Sequence, residues 1–474
     1  MLSSRPHAHR PVHLALVLVT LASAPVDAES NAVPPAPVVA DARQFLAELV
    51  ALDTTHTQGT DRAVELLAGH LRAAGFGDDD LWIVGPRRER WNLVARLRGR
   101  GTKPPILFLS HLDVVDARRE DWTVDPFRLT EQDGWYYGRG TLDIKGEVAD
   151  LVVNFARLRR EGFVPERDLY LALTADEEGG EENGVLWLLA ERRDLVDVAY
   201  VVNTDAGGLQ QQQGRLVRMP IQTSEKLYLT FDLETTSPGG HSSMPTRDNA
   251  IYRLAAALGR IEAYEFPVRL NDTTRLFFER LAGQERGELA AAFHGVLAEP
   301  PDPEAVATLA AIPLYNGTLR TVCTATTATA GHAENALPQR AAATIQCRLL
   351  PDEDSTAVRQ TLDRLVADPR VTVTPHDAAV PAPASPIEPE LFAAVEAATD
   401  SMWPGVPVVP VMDPWSTDGA HLRRAGVPVY GVSGIYFDID DVRAHGQDER
   451  IAVAAFEQGI EFMYRLMLRL GGAP

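Results

Sequence analysis

The chain has 474 residues, 45% hydrophobic and 23% charged, with a formal net charge of −21 at pH 7. This is a globular composition with enough apolar residues for one large core or two. The acidic excess argues against a nucleic-acid-binding surface and reads as a solvated exterior. Two cysteines are too few for a cysteine-based structural zinc site.

At the N-terminus, Arg5 and Arg10 precede the apolar run LALVLVTLASA, and VDA at 26–28 offers small residues for cleavage. This is the pattern of a secretory signal peptide over residues 1–28, and it implies export to the periplasm or beyond. The run falls short of the roughly 20 apolar residues that span a bilayer. No cysteine lies nearby to carry a lipid anchor, and no later segment is apolar enough to cross a membrane. ESNAVPPAPVVA, 29–40, reads as an exposed proline-rich leader.

From residue 41 the apolar spacing is helical in ARQFLAELVAL and in RAVELLAGHLRAAGF, which Gly75 ends. Short apolar runs follow: NLVARL (92–97), PILFLS (105–110), DLYLALT (168–174) and VAYVVNT (198–204). Helical stretches such as KGEVADLVVNFARLRREG and NGVLWLLAERR lie between them. Apolar runs alternating with helices predict an α/β fold, a mostly parallel sheet with helices on both faces.

The rhythm changes near residue 215. KLYLTFDLETT alternates like a half-exposed strand, a helix follows, and LRTVCTATTA, AAATIQCRLL and RVTVTPH read as further strands. Residues 215–378 therefore read as a smaller α+β unit inserted into a larger one made of 41–214 and 379–474, with AAVPAPASPIEP (378–389) as linker. Cys323 and Cys347 fall in two of these strands, separated by the turn-like GHAENALP. Pairing fits an exported protein, and two buried thiols fit equally.

Polar residues collect just beyond the buried strands. His111 and Asp113 follow PILFLS and, two residues apart in extended chain, face the same side. Asp143 precedes a helix, Glu177 and Glu178 end the run TADEE, Asp205 follows VVNT, and His445 lies before the last helix. Singly, each has a bland alternative: a helix cap, a turn or an exposed histidine. Together they fall at the strand ends where open α/β sheets bind ligands. Four carboxylates gathered there repel one another unless cations sit among them, and two histidines with carboxylates suit divalent first-row metals, zinc first.

The set SHLDVVD, GRGTLDIKG, TADEEGG, NTDAGG and AHGQDER resembles the di-zinc exopeptidase and amidohydrolase family of glutamate carboxypeptidase, acetylornithine deacetylase, succinyl-diaminopimelate desuccinylase and aminoacylase. The likeness extends over nearly all of the chain after residue 41. It implies a zinc-binding catalytic domain carrying an inserted lid. His111 and Asp205 would hold one zinc, Glu178 and His445 the other, and Asp143 would bridge the two. Asp113 would orient His111, and Glu177 would be the general base. Asp176 receives no role.

In the inserted unit, His241 of GGHSSMP resembles the lid histidine that stabilises the carbonyl oxygen. Asn335 of NALP is similar to the lid asparagine, and Arg348 of IQCRLLP to the arginine that reads the substrate carboxylate, a task suited to its planar fork. His421, in STDGAHL, belongs by its spacing to a helix. Two departures stand out. Ile144 follows the bridging aspartate where a polar residue is common, and residues 264–314 lengthen the lid in the manner of the carboxypeptidase S-like branch.

The expected activity is hydrolysis of an amide bond in short peptides or N-acyl amino acids with a free carboxylate, as a metallo-carboxypeptidase, dipeptidase or N-acyl-amino-acid deacylase. In compact members of this family the lid mediates dimerisation and its histidine acts in the partner's site, so a homodimer is expected. Two rivals remain: a non-catalytic solute-binding protein on the same scaffold, and an aminopeptidase of a related di-zinc fold. The first would be marked by loss of a ligand or of Glu177; the second gives no use to Arg348 or the insertion.

Overall fold

A computed structural model describes residues 33–376 and 380–473. The signal-peptide reading of 1–28 lies outside the described residues. The leader reading of 29–40 is corrected where it can be compared, because a helix begins at Ala36. Pro37 falls in its first turn, where a missing N–H leaves no intrahelical bond unmade, so proline-rich composition here starts a helix.

In chain order the first elements are α1 (Ala36–Val50), α2 (Asp61–Ala73), β1 (Leu81–Val84), β2 (Asn92–Leu97), β3 (Ile106–His111), β4 (Thr130–Gln132), β5 (Trp135–Tyr137), α3 (Lys145–Arg160), β6 (Leu169–Thr174), α4 (Gly184–Glu191), β7 (Val201–Gln212) and β8 (Arg215–Glu225). The middle holds β9 (Leu227–Thr236), β10 (Gly240–His241), α5 (Ala250–Glu262), α6 (Asp272–Ala282), α7 (Gly287–Val296), α8 (Pro303–Ala310), α9 (Pro313–Leu319), β11 (Val322–Ala330), β12 (Ala336–Leu337), β13 (Arg340–Leu349), α10 (Ser355–Val366) and β14 (Val371–Pro375). The chain closes with α11 (Pro389–Met402), β15 (Val408–Asp413), α12 (Gly419–Arg424), β16 (Val429–Asp438), β17 (Arg450–Ala452) and α13 (Val453–Leu470).

Eight strands form the large sheet in the order β1-β2-β6-β3-β7-β16-β8-β15. The pairs β6–β3, β3–β7, β7–β16 and β8–β15 are parallel, so the sheet is mostly parallel, with antiparallel pairing at the β1–β2–β6 edge and where β8 meets β16. One face is covered by α1, α3, α11 and α13, whose apolar stripes meet Phe108, Leu171 and Val202 in the main core. The other face is covered by α4 and α12 against Leu107, Leu109 and Ala172. α3 is buried on nearly every side, from Lys145 to Leu158 save Arg157, as a helix enclosed between sheet and outer helices must be.

The small sheet runs β11-β13-β9-β14, with α5 and α10 packed on one face. The chain leaves the large sheet at Lys226 and not near 215, because β8 runs alongside β15 in the large sheet. The change in composition that suggests a boundary near 215 is the β7–β8 turn at Gly214, whose φ of +76° suits glycine. Residues 264–314 do not simply extend the lid. Their four helices α6–α9 form a core of their own around Phe278, Phe293 and Tyr315, which closes onto Val409 of β15. Cys323 and Cys347 face each other across β11 and β13 and are joined by a disulfide. No helix among the described residues is long and apolar enough to cross a membrane.

Candidate active site

Parallel pairing brings the site together. In the β3–β6 register His111 lies opposite Thr174, so the residues following Thr174 leave the sheet beside His111. On the other side of β3, Leu109 lies opposite Asn203, which brings Asp205 level with His111. The loop before α3 delivers Asp143, and the segment before β17 delivers His445.

His111 Nε2 is 3.3 Å from Asp143 Oδ1 and 3.7 Å from Asp205 Oδ1. His445 Nε2 is 3.1 Å from Asp143 Oδ2 and 2.7 Å from Glu178 Oε1. Asp143 therefore stands between two trios and turns one oxygen toward each. Within each trio the ligand atoms all lie within 4.8 Å of one another. One imidazole nitrogen and two carboxylates per trio, with one carboxylate shared, is a donor set that fits a pair of divalent first-row metals.

The electrostatics point the same way. Burial pushes the Asp205 carboxyl up to about 7, against the pull of His111. Burial, reinforced by the charge of Asp205, raises Glu177 well above the usual carboxylate range. Asp143 is held below its ordinary value: burial opposes this, but hydrogen bonds from both histidines outweigh it. Those same bonds to Asp143 and Glu178 raise His445 to about 10. The cluster is short of positive charge, which divalent cations would supply.

Several groups hold the ligands in place. His111 Nδ1 is 3.0 Å from the Asp113 carbonyl oxygen. A carbonyl only accepts, so Nδ1 carries the proton and Nε2 is left free to bind a metal. The Asp113 carboxylate lies 3.7 Å from that ring and is otherwise engaged, accepting the backbone N–H groups of Glu177 at 3.1 Å and Glu178 at 2.9 Å. Asp113 thus orients the histidine through its main chain and the acidic loop through its side chain.

Asp176, with φ of +56°, forms a buried ion pair with Arg90 at 2.6 Å. A Cβ at Gly180 would collide with the Asp176 carboxylate, so the tight loop requires that glycine. Glu449, fully buried, accepts from Arg139 at 2.6 Å and from the backbone N–H groups of Gly140, Leu142 and Asp143. Neither Arg90 nor Glu449 stands out in the sequence, although Glu449 lies inside AHGQDER, directly before β17.

Beside the two trios opens a cavity of about 500 Å³, within the usual range for small-molecule sites. Glu177, Glu178, Asp205 and His445 form one part of its lining; Pro220, Trp415, Ile435 and Phe437 contribute apolar surface. Three expected residues are not among those that line it. His241 is exposed on β10, and the neighbouring Ser242 N–H donates to the Asn335 carbonyl, so these two are brought together away from the cavity. Arg348, on β13, places its guanidinium 4.7 Å over the ring of Tyr228. His421 lies in α12 and in neither trio.

A large mostly parallel sheet, an inserted small sheet and paired acid–histidine trios define a metal-dependent hydrolase of the peptidase and amidohydrolase kind. The family model described as Peptidase family M20/M25/M40 matches residues 107–469, and the chain belongs to that family. It is 30% identical over 372 residues to the N-fatty-acyl-amino acid synthase/hydrolase PM20D1 of Xenopus tropicalis, covering 77% of this chain and 72% of that one. It is 28% identical over 372 residues to the probable carboxypeptidase S-like 2 of Dictyostelium discoideum, covering 77% and 71%. Among solved structures, a M20 family metallo-carboxypeptidase, Sso-CP2, from Sulfolobus solfataricus superposes with a TM-score of 0.66 at 17% identity, covering 91% of this chain and 99% of the other. That identity speaks for the fold.

Proposed function

We propose that the chain is an exported di-zinc hydrolase that cleaves the amide bond of N-acyl amino acids and short peptides with a free carboxylate. The observation that carries this reading is the sharing of Asp143 between two acid–histidine trios beside a cavity that Glu177 lines. His111 and Asp205 would hold one zinc, Glu178 and His445 the other, and Asp143 would be shared by both. Metal bound there would supply Lewis acidity to a water and to the amide carbonyl. Glu177 binds no metal in this scheme; it takes the proton from the attacking water and returns it to the departing amine. Asp113 and Glu449 keep the ligand-bearing loops in register by accepting their backbone N–H groups. The apolar wall of the cavity excludes water and receives the acyl side of the substrate.

His241, Asn335 and Arg348 serve the site of a second copy, the histidine on the carbonyl oxygen and the arginine on the substrate carboxylate. This reading is supported by their place outside the cavity of their own chain and by the exposed, unpaired edge of β11. The disulfide supports export.

The test is metal analysis of purified protein together with a mass-spectrometric screen of dipeptides and of short and long N-acyl amino acids, with and without a free carboxylate. About two zincs per chain are expected, with hydrolysis abolished by EDTA and restored by zinc. Metal-free protein with undiminished turnover would refute the reading.

A further inference from the structure

The same cavity contains two carboxyl groups that the proposed chemistry does not use. Asp413, the last residue of β15, lines it and is partly buried. One of its oxygens accepts from Gln222 Nε2 at 3.1 Å, and no cation lies within ion-pair distance among the described residues. Arg423, whose charge reaches it, is committed to Glu225 in a buried pair. Glu147, in the first turn of α3, also lines the cavity and is only 5% exposed. Its Oε1 accepts from Ser433 Oγ at 3.2 Å, and its Oε2 has no hydrogen-bond partner.

With the three acids of the trios and Glu177, six carboxyl groups line this cavity, and among the described residues no lysine or arginine does. Two divalent cations would answer the four acids nearest them. Asp413 and Glu147 would still lack a counter-charge, and an uncompensated carboxylate in a half-apolar wall costs free energy until something positive meets it. Burial pushes the Asp413 carboxyl up to about 7, as expected for such a group. Trp415, half exposed, also lines the cavity and brings an aromatic ring of the kind that attracts cations. Away from His445 and the cations, an anionic substituent beside Asp413 and Glu147 would meet like charge.

We propose that Asp413, assisted by Glu147, is a specificity-determining residue that selects a positively charged group on the acyl side of the scissile amide and rejects a negatively charged one. This rests on the hydrolase reading above, with the acyl side in the cavity. It puts recognition of the substrate's free carboxylate outside the cavity, where no like charge opposes it. Preferred substrates are then short peptides or amino-acyl conjugates with a free or side-chain ammonium, ahead of uncharged acyl chains, and dicarboxylic acyl groups come last.

The experiment uses one matched series on the zinc-loaded enzyme: N-hexanoyl-leucine, its derivatives carrying an amino group at each successive acyl carbon (isomers of one another), and N-adipoyl-leucine. Both kcat/KM and calorimetric binding are measured for the wild type, Asp413→Asn and Glu147→Gln. In the wild type at least one amino isomer should exceed the hexanoyl compound by about tenfold, the worth of one charge-assisted hydrogen bond, with the adipoyl compound lowest. Asp413→Asn keeps the shape and the Gln222 contact, so it should remove most of that preference and raise the adipoyl compound at unchanged zinc content. Glu147→Gln should shift the ratios the same way by less.

Equal ratios in wild type and Asp413→Asn would overturn the proposal, as would an adipoyl compound accepted as readily as the hexanoyl one. If no compound is turned over but the charge preference appears in binding, the hydrolase reading fails and the recognition stands. Turnover without charge preference has the opposite meaning.

Discussion

The two sheets carry their polar residues in opposite ways. At the strand ends of the large sheet, His111, Asp143, Asp205 and Glu178 are drawn within hydrogen-bond or ion-pair distance of a partner and mostly buried. In the small sheet, His241 is exposed on a two-residue strand, and β11 presents Thr324–Ala330 to solvent along an unpaired edge. The first arrangement is complete within one chain, because parallel register and buried supports fix every ligand. In the second, His241, Asn335 and Arg348 lie outside the lining of the cavity. On the proposed reading, the difference separates a unit that holds metal from a unit that serves the site of a second copy.

The contrast can be tested from its strongest consequence downward. Glu177→Gln should lower kcat by about 10²–10⁴-fold, the range for loss of a general base, while zinc content stays unchanged. Near-normal turnover in that variant would remove Glu177 from the mechanism. Glu449→Gln weakens the clamp on the Asp143 loop without touching a ligand and should cost about 10–100-fold in zinc affinity, read by competition with a chelator. An unchanged affinity would make Glu449 a folding residue only.

For the small sheet, His241→Ala and Glu177→Gln should each be inactive alone. Unfolded, mixed and refolded together, they should recover roughly a quarter of wild-type turnover if each lid serves the other chain's site, since half of the dimers are mixed and one of their two sites is whole. No recovery would confine His241 to its own chain.

The smallest effect concerns Lys226, where the chain passes from one sheet to the other. Its ammonium donates to the carbonyls of Arg320 and Arg348, and burial lowers its pKa from 10.5 to about 7. A folded pKa below the unfolded one means that the unfolded chain binds the proton more tightly. The stability this group contributes is therefore fully present above 10.5 and is lost as pH falls toward about 7. Lys226→Met should accordingly gain on the wild type in urea midpoint between about pH 10 and pH 7. A gain in the opposite direction would mean that the ammonium is solvated.

The α/β rhythm and the ligand candidates are legible in the sequence for one physical reason: each ligand lies within a few residues of a buried strand or helix whose pattern marks the position. What is not legible depends on partners far apart in sequence. Arg90 meets Asp176 and Arg139 meets Glu449 only in the folded chain, so the rigidity of the acidic loop and of the Asp143 loop is invisible in the letters. Residues 264–314 are readable as helices, but their seat on β15 depends on Val409, whose outward face no local pattern reveals. The proline-rich start of α1 misleads because proline in the first turn of a helix carries no penalty, so composition alone does not tell a leader from a helix start.

That seat has a mechanical consequence. Arg280 of α6 donates to the Val408 carbonyl and pairs with Glu396 of α11, and Thr273 meets Thr223 of β8 at 2.6 Å. The backbone thus crosses between the two bodies at Lys226, after α5, before β11 and again after β14. A flap hung on two strands swings like a door, whereas one laced at four places can only flex, and every added lace narrows its arc.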